Sequence, residues 1–299
     1  MRLKMPQRVS VLRWKDGSGH EWKAGLVTPP NYQPGKRYPL VLQTHGFAES
    51  IFLTCGGPSR GFAGRELAAA GMIVLQVPDD LTGVVSTPQE AAHHVAAFES
   101  AIEKLTAQEL IDPGRVGVIG FSRTCYYVMH ALTASKARFA AAEISDGVTY
   151  GYWGFLGALG QSRDDESVIG ALPFGEGLKL WLAHSPEFNL DKVRTPLLIV
   201  EQGGQLIFGQ WEEYAGLRYL QKPVELLDLG GDTYEHVLTN PRKRFAAQGA
   251  TVDWFRFWLK GEEDPDPAKT DQYVRWRELR KLQEHNEAKS KETNSAPPN

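Results

Sequence analysis

The chain has 299 residues, with 33 Lys and Arg against 36 Asp and Glu and a formal net charge of −3. That length supports one large α/β domain or two small ones, and the near balance of charge gives no electrostatic case for nucleic acid or a membrane surface. The opening "MRLKMPQRVSVLRW" lacks a signal-peptide core and no run is long enough to span a bilayer, so a cytoplasmic protein with a peptide or small-molecule partner is expected.

In chain order, "RVSVLRWKDGSGHEWKAGLVTP" reads as a hairpin, its two strands joined at an Asp-Gly turn. A proline-rich connector leads to apolar strands at 40–44, 72–77, 116–121, 139–144, 196–200 and 224–229. Several are nearly continuous apolar runs, as strands covered on both faces should be. Between the second and third of these, "TPQE" opens a helix over 88–110, with Thr87 as cap and Glu90 closing a capping box. Ala91, Val95, Phe98, Ile102 and Leu105 recur at spacings of four and three and make its buried stripe. Alternating strands and helices predict a mostly parallel sheet with helices on both faces.

After the run at 139–144, the sixth strand when the hairpin is counted, the rhythm breaks. Residues 147–194 form an aromatic-rich insertion, whose Tyr152, Trp153 and Phe155 either line a substrate pocket or pack the insertion onto the sheet. The main domain is expected over 1–264. A charged helical tail follows over 265–299, ending in a polar segment expected to be disordered. Cys55 and Cys125, the two cysteines, form neither a disulfide framework nor a zinc spacing and are expected to be buried thiols.

A parallel sheet presents reactive groups at the carboxyl ends of its strands. In "VGVIGFSRTCYYVMHAL" a buried strand runs into Ser122 and then a helix, the context of a nucleophile elbow, although Thr124 replaces the second glycine of GxSxG. Of eight histidines, His236 lies in a loop after the last core strand, where a general base belongs. An oxyanion hole would use the amides of Arg123, at the start of the helix after the serine, and of Phe47 in "THGF". The acid is open. Gln205 stands at the expected acid position, and Asp146 and Glu201, at the ends of neighbouring strands, are substitutes of equal standing. Asp232 and Glu235 share the histidine loop and are expected to shape it or to bind substrate.

These residues, in this order, resemble the catalytic domain of the prolyl oligopeptidase family of serine peptidases, within the α/β-hydrolase fold. The resemblance runs over 8–262 and is carried by "GKRYPLVLQTHGF", "GRVGVIGFSR", "TPLLIV", "YAGLRYLQKPVELLDL" followed by "EHVL", and "VDWFRFWLKG". It implies Ser122 as nucleophile, His236 as base, Gln205 at the acid position, and no metal or organic cofactor. Family members often carry a β-propeller ahead of this domain; the sequence shows none, so a stand-alone hydrolase or the catalytic fragment of a longer protein is expected. The implied activity is hydrolysis of peptide or isopeptide bonds, some similar members cleaving lasso peptides at an isopeptide bond. A carboxylesterase on small esters, or a scaffold that binds peptides without turnover, are the competing readings.

Overall fold

The computed structural model describes residues 8–55, 63–157, 162–203, 210–231 and 234–295. Its centre is an eight-stranded sheet in the order β1-β2-β4-β3-β5-β6-β7-β8. The strands are β1 (Val9–Lys15), β2 (Glu21–Val27), β3 (Tyr38–Thr44), β4 (Ile73–Val77), β5 (Ile111–Phe121), β6 (Ala141–Ser145), β7 (Leu197–Glu201) and β8 (Val224–Asp228). β2 pairs antiparallel with β1 and β4, and the six strands β3 to β8 pair parallel with one another. The two strands of the hairpin and the six apolar runs all appear, within a few residues of their sequence-derived limits.

Alternation along each strand sends successive side chains to opposite faces. Leu40 and Leu42 enter one core and Val41 the other. The first core is covered by α3 (Glu90–Ala107), α4 (Thr124–Ala134) and α8 (Trp211–Tyr219). The second lies under α1 (Glu49–Cys55), α2 (Gly64–Ala69), α9 (Pro241–Lys260) and α10 (Thr270–Ser295). Trp254 and Phe257 of α9 meet Tyr273 and Trp276 of α10, with Trp254 and Trp276 edge to face at 5.0 Å. Losing one such buried ring costs about 3–5 kcal/mol, which makes α10 part of the core rather than an appendage.

Two expectations differ from what is found. α3 starts at Glu90 rather than behind a Thr87 cap: the Thr87 hydroxyl donates to the Val84 carbonyl at 2.7 Å. Glu90 instead accepts from the Ser86 amide, the Tyr127 hydroxyl and the Arg123 guanidinium, so its carboxylate faces the elbow. The polar end of the chain is helical through Ser295, tied down by Asn286 donating to the Gln221 carbonyl and by the Arg138–Glu287 pair. The insertion holds α5 (Tyr152–Gly157), α6 (Ser162–Ile169) and α7 (Leu178–His184). Among the described residues no helix is long and apolar enough to cross a membrane.

Glu143 of β6 faces the second core, with Oε1 accepting from Thr251 at 2.9 Å and Oε2 without a partner among the described residues. Burial pushes its carboxyl up to about 8. The folded-state pKa exceeds the unfolded one, so the fold prefers the protonated form and loses stability as pH rises from the unfolded value through the folded one. Denaturant midpoints of Glu143→Gln measured between about pH 5 and pH 9 should show a flatter decline than the parent, by on the order of 2–4 kcal/mol. Equal slopes would show that Glu143 is ionised in the fold.

Candidate active site

The elbow is built by close approach. Ser122 has φ +56°, a left-handed conformation that costs a residue with a side chain about 1–2 kcal/mol. A Cβ on Gly120 would lie 2.9 Å from the Cys125 Cα and the Thr124 carbonyl, so strand and helix meet there only because that residue is glycine. Thr124 does not crowd the turn. It is wholly buried, its hydroxyl accepts from the Phe121 amide at 2.9 Å, and it meets the Thr44 hydroxyl at 2.5 Å. The residue that departs from the glycine pattern thus bonds the elbow to the neighbouring strand β3.

Register then brings in the acid. Phe121 pairs with Ser145, and Ser145 with Val200, so Ser122, Asp146 and Glu201 occupy equivalent positions on three adjacent parallel strands. The Ser122 amide donates to the Ser145 carbonyl at 3.2 Å, which ties the two turns together. Asp146 is also left-handed, φ +46°. Its carboxylate Oδ2 lies 2.5 Å from His236 Nδ1 and accepts from the Tyr234 hydroxyl at 2.9 Å. A carboxylate only accepts, so Nδ1 carries the proton and Nε2 is the basic nitrogen of the neutral ring. The imidazole stacks on Phe121, the residue before Ser122, with centroids 4.8 Å apart. Burial raises the Asp146 carboxyl above the usual range while the bonds from His236 and Tyr234 pull it back.

Of the two substitute acids, only Asp146 is placed on the imidazole. Glu201 is buried at the end of β7, Oε1 has no partner among the described residues, and burial aided by the charges of Asp146, Glu213 and Asp228 pushes it up to about 8. It is therefore mostly neutral near pH 7. Gln205 and Asp232 lie outside the described residues. Glu235 shapes the loop by accepting from the Thr239 and Asn240 amides, and Asn240 caps α9.

The turn after β3 has two consecutive left-handed residues, His45 at φ +77° and Gly46 at φ +78°. Asp79 holds it, lying 2.8 Å from His45 Nδ1 and accepting from the Gly46 amide. Gly46 is thereby engaged, and the Phe47 amide is the next along the turn. Arg123 is the N-cap residue of α4, where first-turn amides have no intrahelical acceptor. Its side chain is fixed separately by Glu90 and, from the insertion, by Asp164 at 3.0 Å.

The insertion aromatics divide. Phe155 meets Trp181 at 5.5 Å and Phe174 at 5.9 Å, and Tyr152 also contacts Phe174, so these rings pack the insertion against itself. Trp153 is half exposed, its amide donating to Glu212 at 2.9 Å.

Sequence reasoning missed Tyr234, Asp79 and Gln202. Gln202 is buried, and with its amide nitrogen turned to the histidine loop it donates to the His236 carbonyl at 3.0 Å. Nothing in a single sequence distinguishes these from ordinary loop residues.

A serine at a strand-to-helix elbow, an Asp-bonded histidine beside it and a mostly parallel sheet define an α/β hydrolase. No family model matches the chain. It is 32% identical over 310 residues to the lasso peptide isopeptidase AtxE2 of Asticcacaulis excentricus, covering 95% of this chain and 42% of that protein. The solved structure of AtxE2 isopeptidase without ligand superposes with TM-score 0.76 at 30% identity, over 92% of this chain and 44% of that one. The acylaminoacyl peptidase of Pyrococcus horikoshii shares the fold, with TM-score 0.67 at 19% identity over 89% and 44%. The chain spans less than half the length of these relatives. The chain is thus similar in sequence to AtxE2 and in fold to prolyl oligopeptidase-family peptidases, and it matches their α/β-hydrolase catalytic portion.

Close packing at Gly147 offers a test of this geometry. A Cβ there would fall 2.1 Å from Cys125 Sγ and 2.5 Å from the Ser122 carbonyl, whereas one at Gly154 meets nothing within 4 Å. Gly147→Ala should displace the Asp146 turn and abolish fluorophosphonate labelling of Ser122, with Gly154→Ala labelled like the parent. Normal labelling of Gly147→Ala would show that the turn is looser than described.

Proposed function

We propose that this chain hydrolyses peptide or isopeptide bonds through an acyl-enzyme on Ser122. The observation that carries the reading is the 2.5 Å contact between His236 Nδ1 and Asp146, with the ring stacked beside the elbow. His236 Nε2 takes the Ser122 proton as Oγ attacks the carbonyl carbon, and Asp146 stabilises the imidazolium that forms. The Arg123 and Phe47 amides bind the developing oxyanion. The imidazolium then returns the proton to the leaving amine, and a water activated by the same nitrogen releases the acid.

The isopeptide substrate class is supported by the relative's name, lasso peptide isopeptidase, and by its structure with Astexin3-dC4 bound. An amide formed on an Asp or Glu side chain presents the same planar carbonyl to the serine, so this geometry serves either bond.

Fluorophosphonate labelling is expected for the parent and lost in Ser122→Ala; no labelling at any pH would leave only the non-catalytic scaffold. In Asp146→Asn turnover should fall by about 10³–10⁴, as for the corresponding change in the well-studied serine protease triad. Gln205→Ala should stay within about threefold of the parent, since Asp146 already occupies Nδ1. The reverse ranking would move the acid to position 205. Peptide anilides turned over less well than p-nitrophenyl esters of matched acyl groups, once the intrinsic reactivity of the esters is allowed for, would favour the carboxylesterase.

Tyr234 supplies a pH signature. Tyr234→Phe removes a donor that favours ionised Asp146, so the Asp146 pKa rises and the acidic limb of kcat/KM moves to higher pH. A limb that stays in place would mean that the hydroxyl does not act on the acid.

A further inference from the structure

At the end of the sheet away from Ser122, the chain entering β6, β7 and β8 opens onto a groove of ≈ 740 Å³. Phe139, Thr195 and Pro223 contribute to its lining, together with the last turn of α4 and the second half of α10. The volume lies within the roughly 300–1,000 Å³ of small-molecule sites.

Its charge is one-sided. Lys136, Arg138, Lys192, Arg194, Lys222 and Lys291 line it against a single carboxylate, Glu287, which is paired with Arg138. Among the described residues none of the other five cations has an ion-pair partner, in a chain whose net charge is −3. Lys222 is fixed at the wall by donating to the Asp191 carbonyl at 2.7 Å and to the Val193 carbonyl. Burial pulls its ammonium below the usual lysine range, and the charge of Arg194 adds to that shift against the opposing pull of Asp191.

The rest of the lining is not cationic. α4 ends here: the Ala131 carbonyl accepts from the Ser135 amide, and the carbonyls of the three residues that follow it have no intrahelical donors. Gln283 and Asn286 of α10 add side-chain amides, whose nitrogens already bond the Arg194 and Gln221 carbonyls. An anion alone would use the lysines and the arginine forks, which suit phosphate oxygens, but it would leave those carbonyls unmatched. A ligand with several phosphate charges and its own hydrogen-bond donors matches both halves of the groove. We propose that this groove binds a nucleoside polyphosphate, remote from Ser122.

Calorimetric titration of the full chain with ATP at fixed ionic strength tests this. Saturable one-to-one binding is expected, weakened at least about tenfold by Arg194→Glu and by Lys136→Glu, two exposed positions. Melting curves establish that each variant is folded, and the milder Arg194→Gln and Lys136→Gln replace either that is not. Tripolyphosphate, which offers charge without donors, should bind more weakly than ATP. No saturable heat, or ATP binding unmoved by the charge changes in folded variants, would overturn the site. Equal affinity for tripolyphosphate, or tighter binding of poly-glutamate, would overturn the nucleotide assignment.

Discussion

The arrangement of the site depends on one contact, the hydrogen bond between His236 Nδ1 and the Asp146 carboxylate. It exists because β5 and β6 end in register, Phe121 opposite Ser145, and because each chain then turns through a left-handed residue. Two such residues cost on the order of 1–3 kcal/mol each. The cost is offset locally, since Ser145 accepts from the Ser122 amide and Thr124 bonds both Phe121 and Thr44. Glycines at 120 and 147 remove the clashes that would otherwise push the two turns apart. The strain is concentrated where the reactive groups are displayed and is held by strands buried on both faces.

The sheet was legible in the sequence because parallel strands covered on both sides must be apolar along their whole length, as "VGVIGF" and "PLLIV" are. The histidine loop was legible from its order after the last strand. The acid was not, and the reason is geometric. Asp146 and Glu201 each occupy the equivalent place at the end of a strand, and composition treats them alike. What separates them is the backbone: Asp146 leaves the strand at φ +46°, while Glu201 is still paired, with Asp228 opposite. A dihedral angle set by Gly147 and Cys125 packing is not a sequence pattern. The capping box at Thr87 failed for a related reason, because Glu90 has a stronger partner in Arg123, 33 residues away, than in its own helix end.

The insertion illustrates how a stretch of aromatics divides between packing and exposure. Phe155 and Trp181 close its interior, while Trp153, Leu156 and Phe174 remain open to solvent. Its attachment near the elbow is polar: Arg123 and the Ser86 hydroxyl both donate to the carboxylate of Asp164 in α6. The residue whose amide is proposed for the oxyanion therefore has a side chain that bonds both the body, through Glu90, and the insertion. Movement of α6 would be felt one residue from Ser122.

Placing the acid on β6 also changes the electrostatics of its neighbour. Asp146 and Glu201 end adjacent strands, which run about 4.8 Å apart. Two buried ionised carboxylates on neighbouring strands repel each other, and Asp146 has donors to hold its charge, from His236 and Tyr234. Glu201 is buried, with one oxygen unpartnered among the described residues and the charges of Asp146, Glu213 and Asp228 around it, so its carboxyl is pushed up to about 8. An acid at position 205 would add another carboxylate to the segment that follows Glu201, and glutamine there adds none. Asp146 stands behind His236 at the end of the strand next to that of Ser122, and Gln205 brings no charge of its own.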